Sequence, residues 1–390
     1  MKIFAFCLFA FLFTAHPLMA APEFRGAWVA TVYNLDWPSK PGLPAAEQKA
    51  QLRAILDRAA QLKLNAILLQ VRPASDALYA SKREPWSAFL TGKQGVSPGY
   101  DPLEFAISEA HARGIELHAW VNPFRAATST GKGAASNHVT QTHPEWIRRF
   151  GTQLWIDPGE PAARDYVRDV IVDIVRRYDI DGVHIDDYFY PYPLKPGDAS
   201  FPDDASWERH GAASGLSRPD WRRDNINRFV EALYRGVKAE KSSVRVGISP
   251  FGIWRPRVPA TIEAQLDAYA QLFADSRHWL QQGWCDYLAP QLYWGIEPAK
   301  QSFPVLLKWW REQSRAGRPI WPGIATERIG EKRSAQEITR QIALTREGLF
   351  ENAAPGHIHW SMKALMRDQG GIDGVLTREV YTERAELPRR

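Results

Sequence analysis

The chain reads as an α/β protein, a (β/α)₈ TIM barrel with long loops following its strands. Three observations lead there. Short apolar, β-branched or aromatic runs alternate about eight times with longer stretches of helical period. No Gly-rich turn follows the first strand, where a doubly wound nucleotide-binding sheet would place one. The longest connections all come after strands, on the side where a barrel carries its functional loops.

Strands are expected at Arg25–Tyr33, Ala66–Arg72, Glu116–Asn122, Gly182–Asp186, Arg245–Ser249, Tyr287–Tyr293, Ile320–Ala325 and His357–Trp360. Between them the helical period runs over Ala45–Leu62, Pro102–Arg113, Ala163–Tyr178, Asn225–Lys241, Leu272–Gln282, Pro304–Arg315 and Ala335–Leu349, with room for an eighth helix after Ser361. The connections over roughly 123–161, 188–222 and 250–270 are rich in Pro, Gly, Trp and Tyr, a composition that suits the walls of a cleft. No fixed repeat or low-complexity linker divides the chain, so one barrel over 23–385 is preferred to two domains.

Of the 390 residues 45% are hydrophobic, enough to fill a core and to exclude disorder. The 49 basic and 44 acidic residues leave a formal charge of +5 without Lys/Arg blocks, which argues against a nucleic-acid partner. Sixteen Trp are unusual and hint at flat surfaces for stacking. Met1-Lys2, the apolar run from Ile3 to Ala15 and the small residues Ala20-Ala21 match a secretory signal over 1–20. The expected product is periplasmic or secreted. It carries no stable membrane anchor, since the only leader cysteine, Cys7, lies inside the apolar run. Removing Lys2 lowers the charge to +4 and leaves Cys285 alone, so no intrachain disulfide is expected.

Alternation assigns one phase of each strand to the helix layer and the other to the lumen. Val183 and Ile185 suit the helix side, which turns His184 and Asp186 inward. The same rule brings in His118, Trp120 and Asn122, Gln70 and Arg72, Ser249, Gln291 and Tyr293, and His357 and His359. So many inward polar groups near strand ends point to a site rather than to structural filling.

The densest constellation runs from Asp181 to Tyr192, with Asp186-Asp187 closing the fourth strand and aromatics following at once. Glycoside hydrolysis needs two carboxyl groups, one protonated and one ionised. Asp186 is expected to be the ionised member. Asp187 would point away if the strand stayed regular, but the turn there could bring it to the cleft rim. The fifth strand carries no carboxylate, so the acid is sought in Asp187, Glu297 or Glu327, with Asp36 and Asp157 further candidates. Arg72, Asn122, His184, Gln291 and Tyr293 would orient sugar and carboxylates. Tyr188, Tyr190, Tyr192, Trp37, Trp120, Trp254 and Trp294 could offer ring faces to sugars. This chemistry needs no cofactor. Two other readings stay open: a metal-dependent hydrolase using His118, His184, His357, His359 and Asp186, and a carbohydrate-binding barrel without catalysis.

Long motifs carry a family resemblance. Glu23-Phe24-Arg25-Gly26-Ala27-Trp28-Val29, Gln70-Val71-Arg72-Pro73, His118-Ala119-Trp120-Val121-Asn122-Pro123, Asp181 through Pro191, Gly247-Ile248-Ser249-Pro250-Phe251-Gly252 and Ala289-Pro290-Gln291-Leu292-Tyr293-Trp294 resemble the glycosyl-hydrolase-like family ten, from Glu23 to about Trp360. The resemblance implies a barrel in exported bacterial proteins. It also implies cleavage of peptidoglycan glycan strands stripped of their peptides, and cell-division proteins as partners.

Overall fold

Branched apolar residues at every second position give each barrel strand a side that must be covered by helices, and the chain folds accordingly. The computed structural model describes residues 22–130, 133–194, 200–331, 333–348 and 354–389; the expected leader, 1–20, lies outside them. The first to eighth barrel strands are Phe24–Val29, Ala66–Arg72, Glu116–Val121, Gly182–Ile185, Arg245–Ile248, Tyr287–Leu288, Gly323–Ile324 and Gly356–His359, all parallel. Neighbours in the chain pair, and the first also pairs with the eighth, Phe24 opposite Gly356 and Ala27 opposite His359. The sixth and seventh meet through single bridges at Leu288–Ile320 and Gln291–Gly323. Both are shorter than their apolar runs because Pro290, Pro319 and Pro322 offer no N–H to a ladder.

The intervening helices are Ala45–Gln61, Pro102–His111, Pro161–Arg177, Arg218–Glu240, Ser276–Gln282, Phe303–Gln313 and Ala335–Arg346. The fourth begins at Arg218, ahead of the expected Asn225, because Ser217 caps it by accepting from the Asp220 N–H at 3.3 Å. The fifth is broken: Phe273 takes a left-handed φ of 52°, and Asp275 recaps the chain at the His278 N–H. The eighth strand is followed by the short helices Met362–Met366 and Ile372–Val375. Among the described residues no helix is long and apolar enough to cross a membrane.

The expected alternation holds in the second to fifth strands and is reversed in the eighth, where Ile358 enters the lumen and His357 and His359, expected inside, turn to the helix side because the Tyr381 hydroxyl there satisfies both rings. Ile67, Leu69, Leu117, Val121, Val183, Ile185, Val246 and Ile248 pack with the helix layer, while Phe24, Trp28, Leu68, Trp120, Tyr287, Trp321 and Ile358 form a separate cluster in the lumen. Phe24 stacks on Trp321 at 4.1 Å, and Tyr287 lies 4.7 Å from the same indole. Each buried ring contributes about 1.5–3 kcal/mol, so an apolar floor supports the polar residues above it. The loop after the third strand folds into an antiparallel ribbon, Arg125–Ala127 against Gln153–Ile156 against Ile147–Phe150. Its Trp155 donates to the Phe189 carbonyl at 3.0 Å, tying the ribbon to the loop after the fourth strand.

Candidate active site

The fourth-strand ladder ends at Ile185, which releases Asp186 and Asp187 from strict alternation: Asp186 meets Trp120 and Asn122, and Asp187 meets Tyr192 and Gln291. They are 4% and 2% exposed. Asp186 Oδ2 accepts from Trp120 Nε1 at 3.0 Å and Asn122 Nδ2 at 3.3 Å, and Oδ1 accepts from the Tyr188 N–H at 3.4 Å. Burial, then the charge of Asp187, push the Asp186 carboxyl up to about 7, against the pull of Arg125 and the Trp120 bond. Burial raises Asp187 as well, while Tyr192 and Gln291 donate to it and favour its ionised form. Two adjoining buried carboxyls titrate as a unit, and burial with the neighbouring charge tilts Asp186 toward its protonated form. The ionised role expected of Asp186 runs against that tilt, whereas the turn sets Asp187 beside Asp186, as the sequence allowed.

Several other expected residues gather round this pair. Gln291 also donates to the Ser249 carbonyl at 3.2 Å, and Gly252 permits its close approach, since a Cβ there would lie 2.2 Å from the Gln291 carbonyl oxygen. Tyr293 packs 6.2 Å from the Trp360 ring and lies in the fields of both Asp187 and Glu327. Trp294 stands edge-on to Phe251 at 5.6 Å, half-buried, and Tyr188 is likewise half-buried.

Others are held elsewhere. Arg72 spends its whole fork inside the protein, on Glu84, Ser75 and the carbonyls of Asn122 and Pro123, and has no donor left for a sugar. Glu297 points outward to Arg340, its side chain 79% exposed. Glu327 sits at the rim, bonded to Trp360, and desolvation raises its pKa. Asp36 is taken by Ser361 and the N–H groups of Ala30 and Lys363, and Asp157 by Ser206, Gly159 and Arg148. Trp37 and Tyr190 are core residues.

His184 lies below the pair, accepting from Trp28 Nε1 at 3.1 Å and meeting the Tyr287 hydroxyl at 3.0 Å. The same hydroxyl meets His118 at 2.8 Å, and the other nitrogen of His118 meets Glu116 at 3.2 Å. His357 and His359 share the Tyr381 hydroxyl. Burial keeps His184, His357 and His359 neutral, His359 down to about 3. The set that a metal reading would use is thus split into two tyrosine-bridged pairs, and among the described residues no three His, Cys, Asp or Glu side chains form a metal-binding group.

Sequence reasoning missed Arg125, Trp360, Tyr33 and Tyr287. Arg125 is buried beside the pair, and Trp360 packs between Trp28, Trp120 and Tyr293. Tyr33 stands 57% exposed with a φ of 55°. Tyr287 shares the inward phase of Gln291 and Tyr293, a signal that was in plain view.

The barrel carries a buried carboxyl pair at its strand ends, and the family and relatives of the chain make it a glycoside hydrolase. The chain belongs to the glycosyl hydrolase-like 10 family, whose model matches residues 23–339. It is 40% identical to the glycosyl hydrolase YngK of Bacillus subtilis over 380 residues, 94% of this chain and 73% of that one. It is 36% identical to the glycosyl hydrolase DigH of Escherichia coli over 328 residues, 79% of this chain and 74% of that one. Among solved structures it resembles in fold the PgaB (BpsB) glycoside hydrolase domain from Bordetella bronchiseptica, with a TM-score of 0.58 at 15% identity over 91% of this chain and 98% of that one. The catalytic domain of a Paenibacillus polymyxa β-amylase superposes with a TM-score of 0.57 at 12% identity over 93% and 99%.

Proposed function

We propose that this glycoside hydrolase is exported and cleaves the glycan strands of bacterial peptidoglycan, taking strands stripped of their peptides. The observation that carries the chemistry is the proton-sharing pair. A glycosidic bond needs one carboxyl group that still holds its proton near neutrality and one that does not, and burial beside Asp187 gives Asp186 that proton. Asp186 donates it to the leaving oxygen as the bond to the anomeric carbon breaks. Asp187, whose ionised form Tyr192 and Gln291 favour by donating to it, faces the positive charge that builds there. Water completes the reaction and returns a proton to Asp186.

Asn122 fixes the acid, and Tyr33, Tyr188, Trp294 and Trp360 offer ring faces and edges to the apolar sides of sugars. The family resemblance over Glu23 to Trp360 supports the substrate, and the leader supports export to the compartment that holds it. Arg72 and His184 serve by holding the strand ends in place.

The test is release of reducing ends from purified peptidoglycan, intact and amidase-treated, by the mature protein with and without EDTA. Release from the amidase-treated material that survives EDTA is expected. Loss of release with EDTA would transfer the chemistry to a metal hydrolase, and binding without release would leave a carbohydrate-binding barrel.

A further inference from the structure

The carboxyl pair has a charged neighbour that the reaction as described leaves without a task. Arg125 opens the ribbon after the third barrel strand and is 4% exposed. Its backbone N–H donates to Asn122 Oδ1 and its Nε to the Pro73 carbonyl, both at 3.0 Å, so stem and head are fixed from two sides. The guanidinium lies over the Tyr188 ring, 4.8 Å from the centroid. Its charge reaches Asp186 and Asp187, yet it bonds to neither. Among the described residues its two terminal nitrogens donate to no protein acceptor. The contrast with Arg72, whose fork is fully spent, is informative. A buried arginine is normally paired, and a planar fork with two idle parallel donors matches a carboxylate.

We infer that Arg125 reads the free lactyl carboxylate of a muramic acid residue in the cleft, and so selects peptide-stripped strands over peptide-bearing ones. The inference rests on the proposed substrate. In a peptide-bearing strand that carboxyl group is an amide, uncharged and extended by the chain it carries, and a guanidinium fork gains no ion pair from it. On a stripped strand the carboxylate is free and can take both terminal donors. Pairing there also withdraws the pull of Arg125 from Asp186 and favours the protonated acid, so recognition and proton donation support each other.

The experiment compares two forms of one substrate: stripped strands with free carboxylates, and the same strands with those carboxylates converted to methylamides by carbodiimide coupling. The quantity read is the ratio of kcat/KM for the two forms within one enzyme, which cancels any change in the ionisation of Asp186 common to both. The wild-type enzyme should prefer the free acid by about 10- to 100-fold, the scale of a charge-assisted pair. Arg125→Gln should bring the ratio to about one. Arg125→Lys, which keeps the charge and loses the fork, should fall between, and it carries the test if the Gln variant does not fold by thermal unfolding. A wild-type ratio near one, or variants that keep the wild-type ratio, would overturn the inference while leaving the substrate intact. Failure of the wild-type enzyme on both forms would instead remove the proposed substrate and the inference with it.

Discussion

Replacing Asp186 by Asn should make the protein more stable at alkaline pH, and the gain can be worked from the structure. Asp186 ionises near 3.8 when unfolded and is pushed up to about 7 in the fold. A raised folded pKa means that the contribution to stability is fully present below 3.8, is lost as the pH climbs to about 7, and is flat beyond. The slope is about 1.4 kcal/mol per pH unit, so the total reaches about 4 kcal/mol. Asn has nearly the same shape and no charge to desolvate. Its amide changes the bonds with Trp120 and Asn122 by an amount that does not depend on pH. The stability of Asp186→Asn minus that of the wild type should therefore rise by about 3 kcal/mol between pH 5 and pH 8. Urea unfolding at the two pH values measures it, provided the m-values agree. A difference that stays constant, or shrinks toward pH 8, would refute the assignment of the proton to Asp186.

Four further outcomes follow from the same geometry. Arg72→Met leaves Glu84 buried and uncompensated in a pair whose side chains are both 0% exposed, and should cost about 3–5 kcal/mol in urea unfolding; a loss under about 1 kcal/mol would contradict its role as a clamp. The wild-type kcat/KM should fall above about pH 7 as Asp186 loses its proton. Trp120→Phe, which removes a donor favouring the ionised form, should move that alkaline limb upward, and a downward move would contradict the hydrogen-bond assignment. Tyr192→Phe deprives ionised Asp187 of its hydroxyl donor, so the acid limb of kcat/KM should move to higher pH, whereas an unchanged acid limb would detach Asp187 from the reaction.

Much of this arrangement was legible before folding was considered. Alternating Val183, His184, Ile185 and Asp186 told which side chains enter the lumen, because a strand has period two and the helix layer there takes the apolar phase; the same rule misled in the eighth strand, where Ile358 enters the lumen and Tyr381 draws His357 and His359 to the helix side. Trp120 and Asn122 followed by the same rule and do meet Asp186. What was hidden depends on distant parts of the chain. Arg72 looked like a sugar ligand because nothing local shows that Glu84 comes back to it. His357 and His359 looked like metal ligands because Tyr381, which bridges them, lies more than a helix away. The protonation order was also hidden, since it is set by burial and by the turn that brings Asp187 beside Asp186. Arg125 did leave a signal, a lone charge in the apolar run Phe124-Arg125-Ala126-Ala127, but its position depends on a ribbon that composition did not announce.

The most direct measurement is turnover of peptide-stripped glycan strands by the mature protein and by Asp186→Asn, with folding of both established by the unfolding curves above. General acid catalysis contributes about 10²- to 10⁴-fold, so the variant should lose on the order of that factor in reducing-end release while being the more stable protein at pH 8. Release by the variant within about tenfold of the wild type would contradict the claim that Asp186 is the acid.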